Sequence, residues 1–497
     1  MTGKTTVPTF AIVGQPNEGK TTTIATLAED DRASIGPNPG TTRTRVRYPV
    51  KVDNHEIMVL FDTPGFENSG ACLEWLRAYD GGGNAAEAFV SAPSHKELYP
   101  EECEILRTLA DGAAAIYVVD GDREPRDPDR QQAEILRLCG VARIGIINSK
   151  KGHGTYVPKW KALMLADFNT LREFNACQAA FSDRIKLLDA IKNIVPDWEV
   201  SMQKVIDDLA GAWEERLENS AEAMLGIMKQ IIKFRSSERF DSADSRKKAK
   251  STTKRKVEEE VRSAEQAFRA KIRGFFRHHD DHWELPPHLK ADIFSSDVWH
   301  CLGLSKKKLS LAAALASAAL GGMVDVAVGG ASLGIVALVS GAVGGIGAVC
   351  FADHAVRFKL PKMKLGPLSI PGMPLGGTFV EAGIERRSKL PGILVDRMLL
   401  FILDAASWAH GRREEGTKNK ATASDKENGG IIDSWEKGDE IKIMAAIEVW
   451  YRLAEGKQFP ATDVDDAENG FRDAISRFLK ERTMGKAKGQ DFLVPVK

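Results

Sequence analysis

The sequence predicts an α/β domain with a mostly parallel sheet and helices on both faces, followed by a mainly α-helical domain. Three observations carry that reading. A glycine-rich loop, "GQPNEGKT" (14–21), joins a short apolar run to a helical one. Further short apolar runs recur at 57–66, 113–121 and 142–150, each closing on a polar turn. Beyond residue 200, apolar residues instead return at three- and four-residue steps.

A chain of 497 residues is too long for one ordinary core, so two or three domains are expected. Lys plus Arg equals Asp plus Glu, 69 each, so net charge selects no class of partner. Six cysteines are scattered without a CxxC pair, which argues against structural zinc or a disulfide framework. The N-terminus carries no signal-peptide pattern, and the expectation is a cytoplasmic start.

"VPTFAIVG" (7–14) reads as a buried strand and "KTTTIATLAE" (20–29) as the helix after the loop. In that context the glycines let several backbone N–H groups point at a phosphate, and the helix N-terminus adds a favourable dipole. Lys20 would reach the β- and γ-phosphates, and Thr21 would place its hydroxyl on Mg²⁺. "NPGTTRTR" (38–45) follows at the distance of a first switch segment. "IMVLFDTPGF" (57–66) is a strand ending in Asp62, then Thr-Pro-Gly. Asp62 can hold Mg²⁺ through water, and the Gly65 N–H can sense the γ-phosphate.

GxPNxGK[ST], PGTTR and DTPG in this order resemble the Era/TrmE/EngA branch of translation-factor-class GTPases, over roughly the first 195 residues. The resemblance implies a P-loop GTPase domain that hydrolyses GTP to GDP with Mg²⁺. Gly14, Asn17, Glu18, Gly19, Lys20, Thr21 and Thr22 would then line the phosphate site. Thr42 would be the switch threonine on Mg²⁺, with Thr41 beside it. In that branch an asparagine at the position of Asn17 marks enzymes that recruit K⁺. A fixed cation between the β- and γ-phosphates would stabilise charge spreading onto the leaving group. The other reading of Asn17, a hydrogen bond within the loop, stays open. Phe66 follows Gly65 where a water-orienting glutamine would otherwise stand. Hydrolysis would then depend on Lys20, Asn17, Thr42 and the Gly65 backbone, with a slow basal rate.

The base-recognition motif is altered. Asn148 falls where NKxD would begin, but Ser149 and Lys151 occupy the lysine and aspartate positions. Guanine follows from the resemblance alone, and "QAAFSD" (178–183) is a weak candidate for the second base loop.

The domains read as 1–197, the GTPase domain; 198–300, amphipathic helices with a basic loop at 236–256; and 301–411, a Gly/Ala-rich hydrophobic hairpin with flanking helices. A disordered linker, 412–430, and C-terminal helices, 431–497, complete the chain. Two stripes, Met202 to Ile231 and Val257 to Phe275, suit helices packed on each other. Between them "RKKAKSTTKRK" (246–256) holds seven basic residues in eleven and reads as a solvated loop or a contact for anionic lipid or RNA. His278 and His282 stand four apart, but a polar helix end fits them better than metal.

Residues 309–351 carry one charge, Asp325, in 43 residues and divide near Gly329 and Gly330 into two segments of bilayer length. Lys306 to Lys308 precede the stretch and Arg357, Lys359, Lys362 and Lys364 follow, as for a hairpin with both ends cytoplasmic. A buried hairpin in a soluble domain is the competing reading. Residues 200–410, with "DIFSSDVWHCLGLSKKKLS", also resemble a bacterial GTPase family whose C-terminal domain has no assigned role.

The expected function is a Mg²⁺-dependent, K⁺-assisted GTPase, bound at the inner face of the cell membrane, whose nucleotide state controls the helical domain. Two alternatives are a ribosome- or RNA-associated Era-like GTPase and a nucleotide-gated, membrane-binding or pore-forming protein. A protein partner and a homo-oligomer remain open.

Overall fold

A computed structural model of the chain describes residues 7–30, 43–149, 154–168, 170–278, 285–295, 298, 356–359, 378–386, 388–410 and 437–484. Strand β1 (Thr9–Val13) sits inside a six-stranded sheet ordered β2-β3-β1-β4-β5-β6. Its neighbours are β2 (Val46–Val52), β3 (His55–Asp62), β4 (Ala114–Asp120), β5 (Arg143–Asn148) and β6 (Thr170–Glu173). All pairs are parallel except β2 with β3, whose two-residue turn puts Asp53 and Asn54 at φ of 48° and 62°. Asp and Asn tolerate that left-handed conformation, and the turn's twist matches the hairpin. β1 and β4 are near-continuous apolar runs because both their faces are covered.

Helices cover both faces. Phe10 and Ile12 of β1 point to one side, against α1 (Lys20–Ala28) and α8 (Phe181–Lys192). Ala11 and Val13 point to the other, against α2 (Ser69–Ala78), α5 (Pro100–Ala110), α6 (Asp127–Leu138) and α7 (Val157–Met164). Two shorter helices, α3 (Ala85–Ser91) and α4 (His95–Leu98), lead into α5.

After a 3-10 turn at Pro196–Trp198, α9 (Glu199–Lys233) runs for 35 residues. Its first turns bury Met202, Val205, Ile206 and Leu209 in the same core as Phe10, Ile12 and Ile24, and Trp198 meets Phe10 edge-on at 5.5 Å. From Trp213 onward its buried residues join a second core. The boundary read at 197 falls at the turn that leads into α9, while the first core extends along that helix to Leu209 because its apolar stripe serves both cores.

The basic loop read at 236–256 is corrected. Arg235–Phe240 form β7, and residues 243–256 are the first turns of α10 (Ala243–Phe275). Composition suggested a loop, but Lys and Arg are good helix formers and the apolar period persists beneath them. Ala249, Thr253, Val257 and Val261 are buried along one face. Ser242 caps the helix by accepting from the Ser245 N–H at 3.2 Å, and Arg255 pairs with Glu259 four residues on.

β7 belongs to a three-stranded antiparallel sheet, β7-β9-β8, with β8 (Val356–Lys359) and β9 (Thr378–Ile384). The sequence reading anticipated helices alone in this region. After a four-residue helix, α11 (Pro287–Lys290), the second core is completed by α12 (Leu390–Ser407), α13 (Lys437–Ala454) and α14 (Ala461–Met484). The hydrophobic stretch 309–351, the whole 412–430 linker region and His282 lie outside the described residues. Among the described residues, no helix is long and apolar enough to cross a membrane.

Candidate functional site

The loop after β1 turns sharply because Gly14, Asn17 and Gly19 take positive φ, of 149°, 65° and 99°. At Gly14 a Cβ would lie 2.3 Å from the Val118 carbonyl oxygen, so only glycine fits between β1 and β4. Gly19 then opens α1, whose first residues are Lys20, Thr21 and Thr22. Lys20 is buried and its ammonium donates to the carbonyls of Gly14 at 2.9 Å and Gln15 at 3.0 Å, curled over the loop.

Asp62, at the C-terminal end of β3, faces this helix start. The Thr21 hydroxyl donates to Asp62 Oδ2 at 2.9 Å. Asp62 Oδ1 is buried without a hydrogen-bond partner among the described residues. Burial pushes the Asp62 carboxyl up, while Lys20 and the Thr21 hydroxyl pull the other way. A buried carboxylate oxygen with nothing to satisfy it, beside a threonine hydroxyl, suits a hard divalent cation. The residues present fit Mg²⁺.

Thr63 donates to the Ile12 carbonyl at 2.7 Å, tying the turn after β3 back to β1. Gly65 then passes under Pro16, where a Cβ would meet Pro16 Cδ at 2.7 Å. The next turn hangs from Glu102 of α5, fully buried, which accepts from the backbone N–H of Glu67 at 2.9 Å and of Asn68 at 2.6 Å. Phe66 is buried in the core. Thr41 and Thr42 lie outside the described residues.

Asn17 is exposed, whereas the neighbouring Glu18 is 5% exposed and paired with Arg123 at 2.6 Å. Arg123 also clasps Asp129 through both terminal nitrogens at 2.7 Å. Burial alone would lower its basicity, and the two carboxylates hold it above the ordinary arginine value. A cavity of about 300 Å³ opens here, lined by Pro16, Asn17, Asp120, Arg123 and Arg126 among others.

Asn148 does not face outward. Its amide donates to the Glu18 carbonyl at 3.0 Å and accepts from the Ala176 N–H at 3.2 Å. The loop opposite β5 is therefore Phe174 to Cys177, held further by Asn175 donating to the Ser149 carbonyl at 2.9 Å. The candidate at 178–183 lies just beyond that loop, and its latter half is already the start of α8. Nothing in "FNAC" signalled that place; the pairing of β5 with β6 creates it. Lys151 lies outside the described residues, and Gly154 donates to Asp122 at 2.9 Å where that loop returns. The Glu18–Arg123–Asp129 network and Glu102 were likewise not singled out, since their partners are remote in sequence.

Residues 161–467, well over half of the chain, match the family model described as Domain of unknown function (DUF3482). The chain belongs to the DUF3482 family. Residues 9–148 match the model described as 50S ribosome-binding GTPase. This DUF3482 protein is also 30% identical over 145 residues to GTPase Der of Gloeothece citriformis, covering 29% of this chain and 26% of that one. It is 24% identical over 227 residues to GTPase Der of Polynucleobacter asymbioticus, covering 45% of each. It thus spans about a quarter of the length of the curated relatives it first matches. Among solved structures it is similar to Era in complex with MgGDPNP and 16S ribosomal RNA, at 22% identity and a TM-score of 0.25, over 34% of this chain and 51% of that one. A second is Aquifex aeolicus Era bound to GDP·AlF4⁻, at 20% identity and a TM-score of 0.27, over 38% and 56%. Residues 9–148 are thus an Era/Der-like GTPase domain by their match to that model and to GTPase Der.

Proposed function

We propose that this DUF3482 protein is a Mg²⁺-dependent GTP hydrolase that acts as a nucleotide-controlled switch on its helical domain. The observation that supports this best is the buried, unsatisfied Asp62 Oδ1 beside the Thr21 hydroxyl. Thr21 and Asp62 would hold Mg²⁺, with Thr42 as the switch threonine and Thr41 its neighbour. Mg²⁺ there would neutralise charge developing on the phosphates. Gly14 through Thr22 cradle the phosphates with backbone N–H groups, and Lys20 exchanges its two carbonyl partners for phosphate oxygens. The Gly65 N–H, held under Pro16, donates toward the γ-phosphate. Asn148 orders the base side indirectly, through Glu18 and Ala176.

Asn17, exposed and in left-handed conformation at the rim of the loop, is proposed to help hold K⁺. Held there, a cation would supply charge where the leaving oxygen develops it, at a site with Phe66 in place of a water-orienting glutamine. Hydrolysis of GTP and ATP, each measured in KCl and in NaCl, tests the whole reading. GTP-selective turnover, faster in K⁺, is expected; equal rates in both salts would remove Asn17 from the mechanism.

The helical domain is proposed to associate with the cytoplasmic face of the membrane through 309–351. Support comes from that stretch's composition and from the exposed Arg246, Lys247 and Lys248 on α10, which suit anionic headgroups. Retention in the membrane fraction after a carbonate wash is the expected result. A second reading, contact with ribosomal RNA, is favoured by the family description matched at 9–148. Salt-sensitive co-sedimentation with ribosomes would select it.

A further inference from the structure

The end of α1 is where the two cores meet. Glu29 follows the helix in left-handed conformation, φ 52°, an uncommon state for a residue with a long side chain. Its carboxylate is 4% exposed and held by two arginines from different elements. Arg184 of α8 reaches Oε1 at 2.6 Å, and Arg216 of α9 reaches Oε2 at 2.5 Å. Trp213, one turn before Arg216, stacks on Phe181 at 4.5 Å and lies beneath both guanidiniums. Such a strained backbone persists because the ion pairs over-determine it.

The helical domain makes a second contact with the GTPase domain, at β2. Arg277, just past α10 and also at positive φ, 58°, donates to the Lys51 carbonyl of β2 at 3.4 Å. Its charged surroundings include Glu29, Asp30 and Asp53 as well as Arg216. Glu29 closes α1, which opens on Lys20 and Thr21, and Lys51 lies on β2, which pairs with β3 as it runs up to Asp62.

We infer that Arg216 and Arg277 are positioning residues for the hydrolytic site, through which the helical domain sets how the GTPase domain discriminates GTP from GDP. The inference rests on the switch reading above, since it assigns the regulation of that same site. By linkage, if nucleotide state changes the strength of the Glu29–Arg216 and Lys51–Arg277 contacts, breaking them changes relative nucleotide affinity. A role confined to packing lowers stability and shifts both affinities alike.

The test uses the full chain. Dissociation constants for GDP and for a non-hydrolysable GTP analogue are measured in the wild type, Arg216→Gln, Arg277→Ala and Thr483→Val. Thr483 accepts from the Trp213 indole at 3.2 Å and so perturbs the same helical core without touching Glu29. The ratio of the two constants should move at least about fivefold in Arg216→Gln, in the same direction in Arg277→Ala, and stay put in Thr483→Val. If Arg216→Gln does not fold, the partly exposed Arg277 carries the comparison alone. An unchanged ratio in folded arginine variants overturns the inference, as does an equal shift in Thr483→Val. A wild type that binds no GTP analogue removes the switch reading itself, which keeps the two failures apart.

Discussion

Pro16 and Gly65 are in van der Waals contact across the nucleotide site: a Cβ at residue 65 would stand 2.7 Å from Pro16 Cδ and 2.8 Å from Cγ. The proline in "GQPNEGKT" is thus a spacer. It fixes how far the phosphate loop stands from the backbone that follows Asp62. Gly65→Ala is expected to lower hydrolysis roughly ten- to a hundredfold by displacing that backbone. Adding Pro16→Ala, which deletes Cγ and Cδ, should restore part of the loss. Single-turnover phosphate release reads both.

Asp62→Asn separates metal binding from folding. The amide keeps the shape but loses the charge that a divalent cation requires. The Mg²⁺ concentration for half-maximal hydrolysis should rise at least about tenfold. Thermal stability of the ligand-free protein should hold or increase, because an unsatisfied buried carboxylate is removed. A magnesium titration and a melting curve on one preparation decide it.

Asn148→Ala removes the hydrogen bonds to the Glu18 carbonyl and from the Ala176 N–H at a fully buried position. The expected cost is about 2–4 kcal/mol by chemical denaturation. Nucleotide affinity should fall for GTP and GDP alike, since Asn148 acts on the geometry of two loops at once.

Acid should act through Glu29. Burial raises its carboxyl, but Arg184 and Arg216 outweigh that and hold it well below the usual range. A depressed folded-state value means the stabilisation is complete above the ordinary glutamate value of about 4.3 and is lost as pH falls below it. Glu29→Gln should be about 3–5 kcal/mol less stable at neutral pH, because two buried guanidiniums lose their counter-charge. The gap between wild type and variant should narrow on acidification, as melting curves from pH 7 to pH 3 would show.

Much of the N-terminal domain was legible because its signals are local. β1, the loop, α1, β3 with Asp62 and β5 with Asn148 each declare themselves within ten residues, and the structure brings Thr21 and Asp62 together as their types required. What escaped depends on distance. Ala176 meets Asn148 through strand pairing, Glu102 supports Asn68 from another helix, and Arg216 finds Glu29 across 187 positions. The start of α10 misled for a different reason: its basic composition masked a buried face spaced four residues apart, Ala249, Thr253, Val257 and Val261.

A chain cut after residue 197 should behave worse than one cut after 212. The shorter piece lacks Met202, Val205, Ile206 and Leu209 and leaves part of the core around Phe10 and Ile12 uncovered. Lower yield of monomer and a lower melting point are expected on gel filtration and calorimetry.

The length of α9 gives this sharing of cores a mechanical meaning. Thirty-five residues at about 1.5 Å each make a rod of about 52 Å. It is rooted beside β1 and ends next to β7, so a tilt of about 5° at the root would carry its tip by about 4–5 Å. A displacement too small to notice at the phosphates would become, at the three-stranded sheet, the spacing of one strand from the next.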